Sequence, residues 1–426
     1  MNIVIVGLGN IGSYFYNYLR KNKNIIFNKT NTIPNILFVS AKSFSKKRKF
    51  PLSKKIWLKN YLSATKMKNV DIIVELIGGA EGPAKKLVFE ALRNKKHVIT
   101  ANKALVSKYG DQLAQIAELN KVNFEFEAAV CGGIPIIRSM KEGLIANNIS
   151  KIYGILNGTS NYILSTMDAN SLEYKDSLLK AQRLGYAESN PASDVNGEDV
   201  ASKLKILTAL AFNSYINNKS ILVEGMENID QIDINNANQL GYKIKLVGVA
   251  EIEKDKIIQR VHPALIKENS YIAKINGVLN AVIIDSYPVG KTVLQGEGAG
   301  AGPTTSSLIS DLCSILRGNV KFPFVLSNKK RKFAHFVNMD NKKFSSYLRL
   351  DVKDKYGILS DITKVMAKNK VSVKRLIQNP TMNKKNASII IITHEALSSS
   401  FIKLLSALKK KNYIVNIPKI IRIEKI

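Results

Sequence analysis

The sequence predicts an α/β protein in three parts: a parallel sheet covered by helices, an α+β middle section, and a small α+β module at the end. Short apolar runs alternate with helical patterns over residues 3–126 of the 426, as parallel strands joined by helical crossovers require. Glycine-rich stretches at 7–12 and 296–302 each lead into a helical pattern. From 347 to 423 the order strand, helix, strand, strand, helix, strand fills the length of one small domain.

Taken in order, strands are expected over 3–6, 36–39, 71–76, 97–100 and 122–126, with helices over 83–93 and 104–119. Gly132, Gly133 and Pro135 then break the alternation, and a helix is expected near 136–145. The middle section opens with a strand at 150–156 and helices at 160–167 and 174–184. A polar loop, 185–197, feeds a helix over 199–212 in which Leu204, Leu207, Leu210 and Ala211 form a core-facing stripe. Strands follow at 244–252, 257–261 and 281–285, and a helix at 304–316. Over 320–344 charge density rises and periodicity fades. The domains expected are therefore 1–135 (completed by about 297–320), 136–296, a linker at 321–345, and 346–426.

Composition excludes several classes. No apolar run reaches the roughly 18 residues a membrane span needs, and the first residues lack a basic leader with a cleavage site. Two cysteines, Cys131 and Cys313, build no disulfide framework and suit a reducing cytoplasm. The four histidines are far apart, which argues against a zinc enzyme. The formal charge of +31 attracts anions, but the lysines are interleaved with asparagine and isoleucine along the whole chain. That reads as solvated surface rather than a nucleic-acid face, so neither nucleic acid nor membrane is expected as a partner.

Gly7, Gly9, Asn10, Ile11 and Gly12 lie in a G-x-G-x-x-G pattern after a strand and at the start of a helix. Glycine there permits the tight turn, lets backbone approach a pyrophosphate, and lets helix pack on strand. At the first junction of an alternating chain, this predicts a Rossmann-like dinucleotide-binding domain; in isolation the pattern is only a turn. NAD binders usually place an acid after the second strand to grip the ribose. Here Ser40, Ala41 and Lys42 follow, then Lys46, Lys47 and Arg48. Cations in place of the acid favour NADP(H), with NAD(H) possible, against the alternative of a solvated charge run.

The block Asn157-Gly158-Thr159-Ser160-Asn161-Tyr162, with 184–191 and 194–199, resembles homoserine dehydrogenase. The resemblance continues through Thr100-Ala101-Asn102-Lys103, Gly132-Gly133-Ile134-Pro135, 203–207 and Gly298-Ala299-Gly300, in the family's order over about residues 1–320. It implies interconversion of L-aspartate 4-semialdehyde and L-homoserine. Asp199 and Lys203 are four apart and share a helix face, which without a substrate would be a surface ion pair. By resemblance Lys203 is the proton donor and acceptor and Lys103 a second lysine near the reacting groups. Such a lysine works when desolvation or neighbouring cations lower its pKa. Asp199, Asp194 and Glu188 would bind substrate, their carboxylates suiting its α-ammonium. Thr100, Lys103, Gly185, Glu188 and Gly300 would border the cofactor.

The segment 127–134 resembles the family's monovalent-cation loop, in which Glu127 and the carbonyls of Val130, Gly132 and Ile134 would hold Na+. Three positions depart from the family pattern: Cys131 for a small residue, Asn190 for an aspartate, and Asn196 for a glutamate. Residues 348–362 resemble an ACT domain, a ferredoxin-type module that commonly binds amino acids at paired interfaces. In this family it implies an amino-acid effector, threonine, or a tail that only assembles the expected homodimer or homotetramer. A chain shortened to end near Phe344 is expected to stay active and lose the response. Two rivals remain beside a charge-driven nucleic-acid binder. One is an aspartate-semialdehyde dehydrogenase, for which Cys131 would have to be a nucleophile. The other is a catalytically dead amino-acid sensor.

Overall fold

The structure, a computed structural model, describes residues 1–46, 48, 50–380 and 385–426. Five parallel strands form the first sheet, in the spatial order Asn35–Ser40, Asn2–Val6, Ile72–Glu75, His97–Thr100, Phe124–Glu125. Helices cover both faces, so the central strands are apolar without alternation: Ile72, Ile73 and Val74 are all fully buried. From the inner strand Asn2–Val6 the chain pairs first on one side and then on the other, which opens a crevice at the strand ends where α/β sheets bind ligands. The expected strand at 122–126 shrinks to Phe124–Glu125, because only Val98 and Ile99 remain to pair with it before the chain turns at Glu127. Helix Ala301–Leu316 returns from far along the chain to pack on Asn10–Thr30, placing Leu308, Leu312 and Ile315 in one core with Ile3, Ile5 and Phe15.

The middle section is an antiparallel sheet in the order Gly290–Glu297, Leu279–Tyr287, Asn148–Ile155, Tyr242–Glu253, Lys256–Lys267. Besides the strand Lys256–Lys267, which runs past its expected end at 261, two elements differ from expectation. The strand Gly290–Glu297 forms a hairpin with Leu279–Tyr287 where the sequence suggests only a turn from 296. The helix expected at 136–145 is a short turn, Ile136–Arg138, that widens over Ser139–Gly143 and closes through Leu144 N–H to the Ser139 carbonyl. Helix Glu198–Ala211 is buried almost all round. Its predicted stripe is in the core, and so are Val200, Ile206 and Ala209.

The tail has the expected order of elements: Lys343–Lys353, Ile358–Lys368, Val373–Pro380, Asn386–Thr393, Ser398–Lys409 and Lys419–Ile423. It is not a detachable unit, however. Lys419–Ile423 pairs with Lys343–Lys353 on one side and, in parallel, with Lys256–Lys267 on the other, through Arg422 to Ala264 and Ile423 to Leu265. One sheet thus runs through both domains. Just beyond, buried Glu424 accepts hydrogen bonds from Arg260 Nε at 2.6 Å and Nη2 at 2.9 Å, with His262 Nε2 also 2.9 Å away. Arg260 Nη1 meets Glu251 at 2.5 Å. A chain ending near Phe344 would lose the strand beside Lys256–Lys267 and leave buried Arg260 without Glu424, which weighs against the expectation of a simple active truncation. The stretch before the tail is also anchored: Arg331 pairs with Asp111 at 2.7 Å and lies 4.0 Å over the Phe324 ring.

Candidate active site

The glycine turn after Asn2–Val6 divides the work among its three glycines. Gly7 has φ +108°, and a Cβ there would meet the Leu76 carbonyl at 2.3 Å. At Gly12 a Cβ would meet the Gly7 carbonyl at 1.9 Å, so strand and helix touch there. Around Gly9 nothing lies within 4 Å, which leaves room for a ligand. The helix Asn10–Thr30 begins with no side-chain cap and no acid in its first turn. Its first N–H groups and dipole are therefore available to a phosphate. These residues fit a dinucleotide. Lys46 and Arg48 line the same cleft, of about 320 Å³, with Gly9, Asn10, Ser13 and Tyr14. Arg48 is partly occupied, donating to the carbonyls of Ser43, Phe44 and Lys46. Lys47 lies outside the described residues. The second glycine turn faces the first: Gly300 has φ +115°, and a Cβ on Gly302 would come within 3.8 Å of the Tyr14 hydroxyl.

Beside this cleft three charged groups converge. Lys103 Nζ is 2.5 Å from Asp199 Oδ1, and Lys203 Nζ is 2.8 Å from Asp199 Oδ2. Lys203 also donates to the Leu156 carbonyl at 2.6 Å. Asp199 and Lys203 are buried, while the Lys103 side chain is 45% exposed. Asn157 joins the cluster: its amide donates to Asp194 Oδ1 and Asp199 Oδ2, both at 2.8 Å, while its oxygen caps helix Gly158–Asn170 at Ser160 N–H. Sequence reasoning assigns Asn157 no such role, although an asparagine just before a helix start is a recognised cap signal.

The charges answer one another. Burial would raise the Asp199 carboxyl, but Lys203 and Lys103 beside it hold it well below the usual carboxylate range. Burial would likewise depress the Lys203 ammonium, yet Asp199 outweighs that and lifts it above the ordinary lysine value. The expectation of a lowered lysine pKa is thereby reversed: Lys203 waits as an acid. Asp194, with one amide partner and no direct cation contact among the described residues, is pushed up by burial.

Most other residues singled out in the sequence sit apart from this cluster, Cys131 excepted, which lies near enough to Lys203 and Asp199 to feel their charges. Glu188 and Gly185 are exposed on the loop, and the Glu188 carbonyl accepts from Gln182. Asn190 and Asn196 use their side-chain oxygens on the backbone N–H groups of Ala192 and Glu198; an uncharged amide oxygen is enough for that bond. The Thr100 side chain is fully buried and turned to Glu75 rather than to open space. Glu127 is buried, and its carboxylate accepts from Ile137 N–H at 2.9 Å and Arg138 N–H at 2.7 Å. Burial pushes it up to about 7. The Gly132 carbonyl takes the Ser307 hydroxyl, and that of Ile134 takes Ile136 N–H at 2.8 Å. Cys131 is buried at φ +51° within this loop, and burial pushes its thiol up. A buried, protonated thiol is a poor nucleophile, which weighs against the aspartate-semialdehyde dehydrogenase rival.

Residues 7–127 match the family model described as the NAD-binding domain of homoserine dehydrogenase, 135–313 match homoserine dehydrogenase, and 346–412 match the ACT domain. The homoserine dehydrogenase of Neisseria gonorrhoeae is 38% identical over 96% of this chain and 95% of its own. That of Helicobacter pylori is also 38% identical, over 100% of this chain and 99% of its own. The crystal structure of a homoserine dehydrogenase from Thiobacillus denitrificans matches with a TM-score of 0.92 at 35% identity, covering 100% of this chain and 98% of that one. Likeness of this degree along the whole length, on a chain with its own dinucleotide cleft, shows that it belongs to the homoserine dehydrogenase family of NAD(P)-dependent oxidoreductases.

Proposed function

We propose that this enzyme interconverts L-aspartate 4-semialdehyde and L-homoserine, on the route to threonine, methionine and isoleucine, with Lys203 giving and taking the proton at the substrate oxygen. The observation that carries this is the buried Asp199–Lys203 pair with Lys103 on its open side. Bound NAD(P)H supplies hydride at the carbonyl carbon. Lys203, held as an ammonium by Asp199, donates to the oxygen that becomes the alcohol, and Lys103 stands on the solvent side of the same carboxylate. Because both Asp199 oxygens already face lysines, the substrate's α-ammonium falls to Asp194, with exposed Glu188 the second carboxylate assigned to it. The test is the absorbance change of NADP with homoserine, set against phosphate plus aspartate semialdehyde. Turnover only in the phosphate-dependent assay would overturn the assignment.

The same reading extends to the cofactor. A 2′-phosphate fits beside Lys46 and Arg48, which border the cleft of Gly9 and Asn10, and this favours NADP(H). Replacing Lys46, Lys47 and Arg48 with alanine is expected to raise the KM for NADP far more than that for NAD. Equal effects in steady-state kinetics with both cofactors would reduce the cluster to solvated surface.

A monovalent cation, Na+, belongs to the loop of Glu127, Val130, Gly132 and Ile134. All its donors are oxygens, and Glu127 is a carboxylate that burial raises to about 7 even with Arg138 and Lys141 opposing it, so a bound cation would favour its charged form. Threonine is the proposed effector of the ACT domain, with the enzyme a cytoplasmic homodimer or homotetramer. Gly357, at φ +84°, supplies the tight turn at the start of helix Ile358–Lys368 against which a small ligand can sit. Threonine is expected to inhibit the full chain, and homoserine with cofactor to weaken threonine binding by the same factor, about 5–150-fold for typical couplings. Calorimetry that finds no binding of threonine or a related amino acid would leave the tail as an assembly element.

A further inference from the structure

Glu75 ends the third strand of the dinucleotide-binding sheet with its side chain fully buried. Its three hydrogen-bond partners among the described residues are neutral: the Thr100 hydroxyl at 2.5 Å, Ile77 N–H at 2.7 Å and Gly78 N–H at 3.0 Å. Each partner belongs to something larger. Ile77 and Gly78 start a loop in which Gly78 and Gly79 take φ of +85° and +80°, with nothing within 4 Å of either Cβ position. That loop follows Leu76, whose carbonyl abuts Gly7 of the cofactor turn. Thr100 Oγ1 in turn accepts Asn102 N–H at 3.0 Å. The Asn102 side chain caps Leu105 N–H at 3.1 Å and donates to the Gly79 carbonyl at 2.7 Å. The helix so capped begins at Lys103.

We propose that Glu75 is a positioning residue that fixes two things at once, the cofactor-side loop 77–79 and the helix start that aims Lys103 at Asp199. This rests on the reading above that Lys103 and Asp199 belong to the reacting site. The chemistry selects a carboxylate. All three partners donate, so an acceptor-only group satisfies them. A glutamine would turn an N–H₂ toward Thr100, whose oxygen already accepts from Asn102, and the hydroxyl proton would lose its acceptor. The link to Lys103 would then loosen while the fold around it stayed close-packed.

The experiment uses the full chain carrying Glu75→Gln, and separately Thr100→Val, which cuts the link to Asn102 but leaves Glu75 holding Ile77 and Gly78. For Glu75→Gln, a neutral amide oxygen holds Ile77 and Gly78 less firmly than a carboxylate, and NADPH fluorescence titration is expected to show a Kd raised by about 10-fold, the scale of one charge-assisted hydrogen bond. The pH profile of homoserine oxidation is expected to move to higher pH in both variants. Lys103, once displaced, no longer shares Asp199, and Lys203 is held more firmly as an ammonium. Thr100→Val should change NADPH affinity less than Glu75→Gln. In a Lys103→Ala background neither substitution should move the profile further, since coupled groups are non-additive. Lower thermal stability with wild-type NADPH affinity and an unmoved profile would overturn the proposal and leave Glu75 a packing group. If the wild-type chain itself fails to oxidise homoserine, the functional reading falls instead. The NADPH titration then decides separately on Glu75's hold on the loop.

Discussion

Turnover of the Lys203→Ala variant is expected to fall by roughly 10²–10⁴, the scale of a lost general acid–base group, with NADPH affinity little changed. Lys203 has two partners, Asp199 and the Leu156 carbonyl, and neither lies in the glycine-turn cleft. The same geometry sets the direction of pH dependence. Asp199 lifts the Lys203 pKa above the usual lysine value, so the acid needed for reduction is present at neutral pH. The base needed to oxidise homoserine grows only as pH rises. Oxidation by the wild-type chain should therefore climb on the alkaline side, while reduction falls off there. Stopped-flow rates in both directions check this. Near-normal turnover in Lys203→Ala would shift the role to Lys103.

Arg260→Met is the substitution with the largest expected cost to stability. Arg260 is 1% exposed and is held by Glu424 and Glu251. Removing it leaves Glu424 with only His262 beside it and Glu251 with only Lys342, at 3.1 Å, among the described residues, and a broken buried pair costs about 3–5 kcal/mol. The loss should appear as a lower urea midpoint reported both from the ACT domain and from the middle sheet, because Glu424 follows the strand they share. A loss confined to the ACT domain would show that the common sheet does not couple them. Replacing Glu424 alone should cost less, since Arg260 keeps Glu251.

What could be read from the sequence followed from locality. Ile72–Val74 and the strand before Gly7 announce themselves as unbroken apolar runs because helices bury both their faces. Asp199 and Lys203 declare a shared helix face by their spacing. Lys103 reaches the same carboxylate across a long loop of chain, and no spacing rule predicts that; the resemblance alone suggested it. The strand Gly290–Glu297 was hidden because its pattern is weak at a sheet edge, half-buried and flanked by glycine. The strand Lys256–Lys267 runs well past the expected end at 261, because Arg260, His262 and Pro263 interrupt its apolar run. The buried Arg260 and His262 side chains find their partner, Glu424, at the far end of the chain. Glu75 is an unremarked residue of the expected strand 71–76, because one of its three donors, Thr100, is brought to it only by the fold.

Helix Ala301–Leu316, which closes the first core, bears on the order in which the chain can fold as it is made. Domains generally fold as units, N-terminal first, during synthesis, but this one waits. Ile3, Ile5 and Phe15 stay partly uncovered until Leu308 and Leu312 have emerged, after the whole middle section has been translated. The middle sheet waits in turn for Lys419–Ile423, which pairs with Lys256–Lys267. Contacts this distant in sequence must close long loops before they are rewarded. A nascent chain of this enzyme therefore completes its first core and its middle sheet late in translation rather than one domain after another.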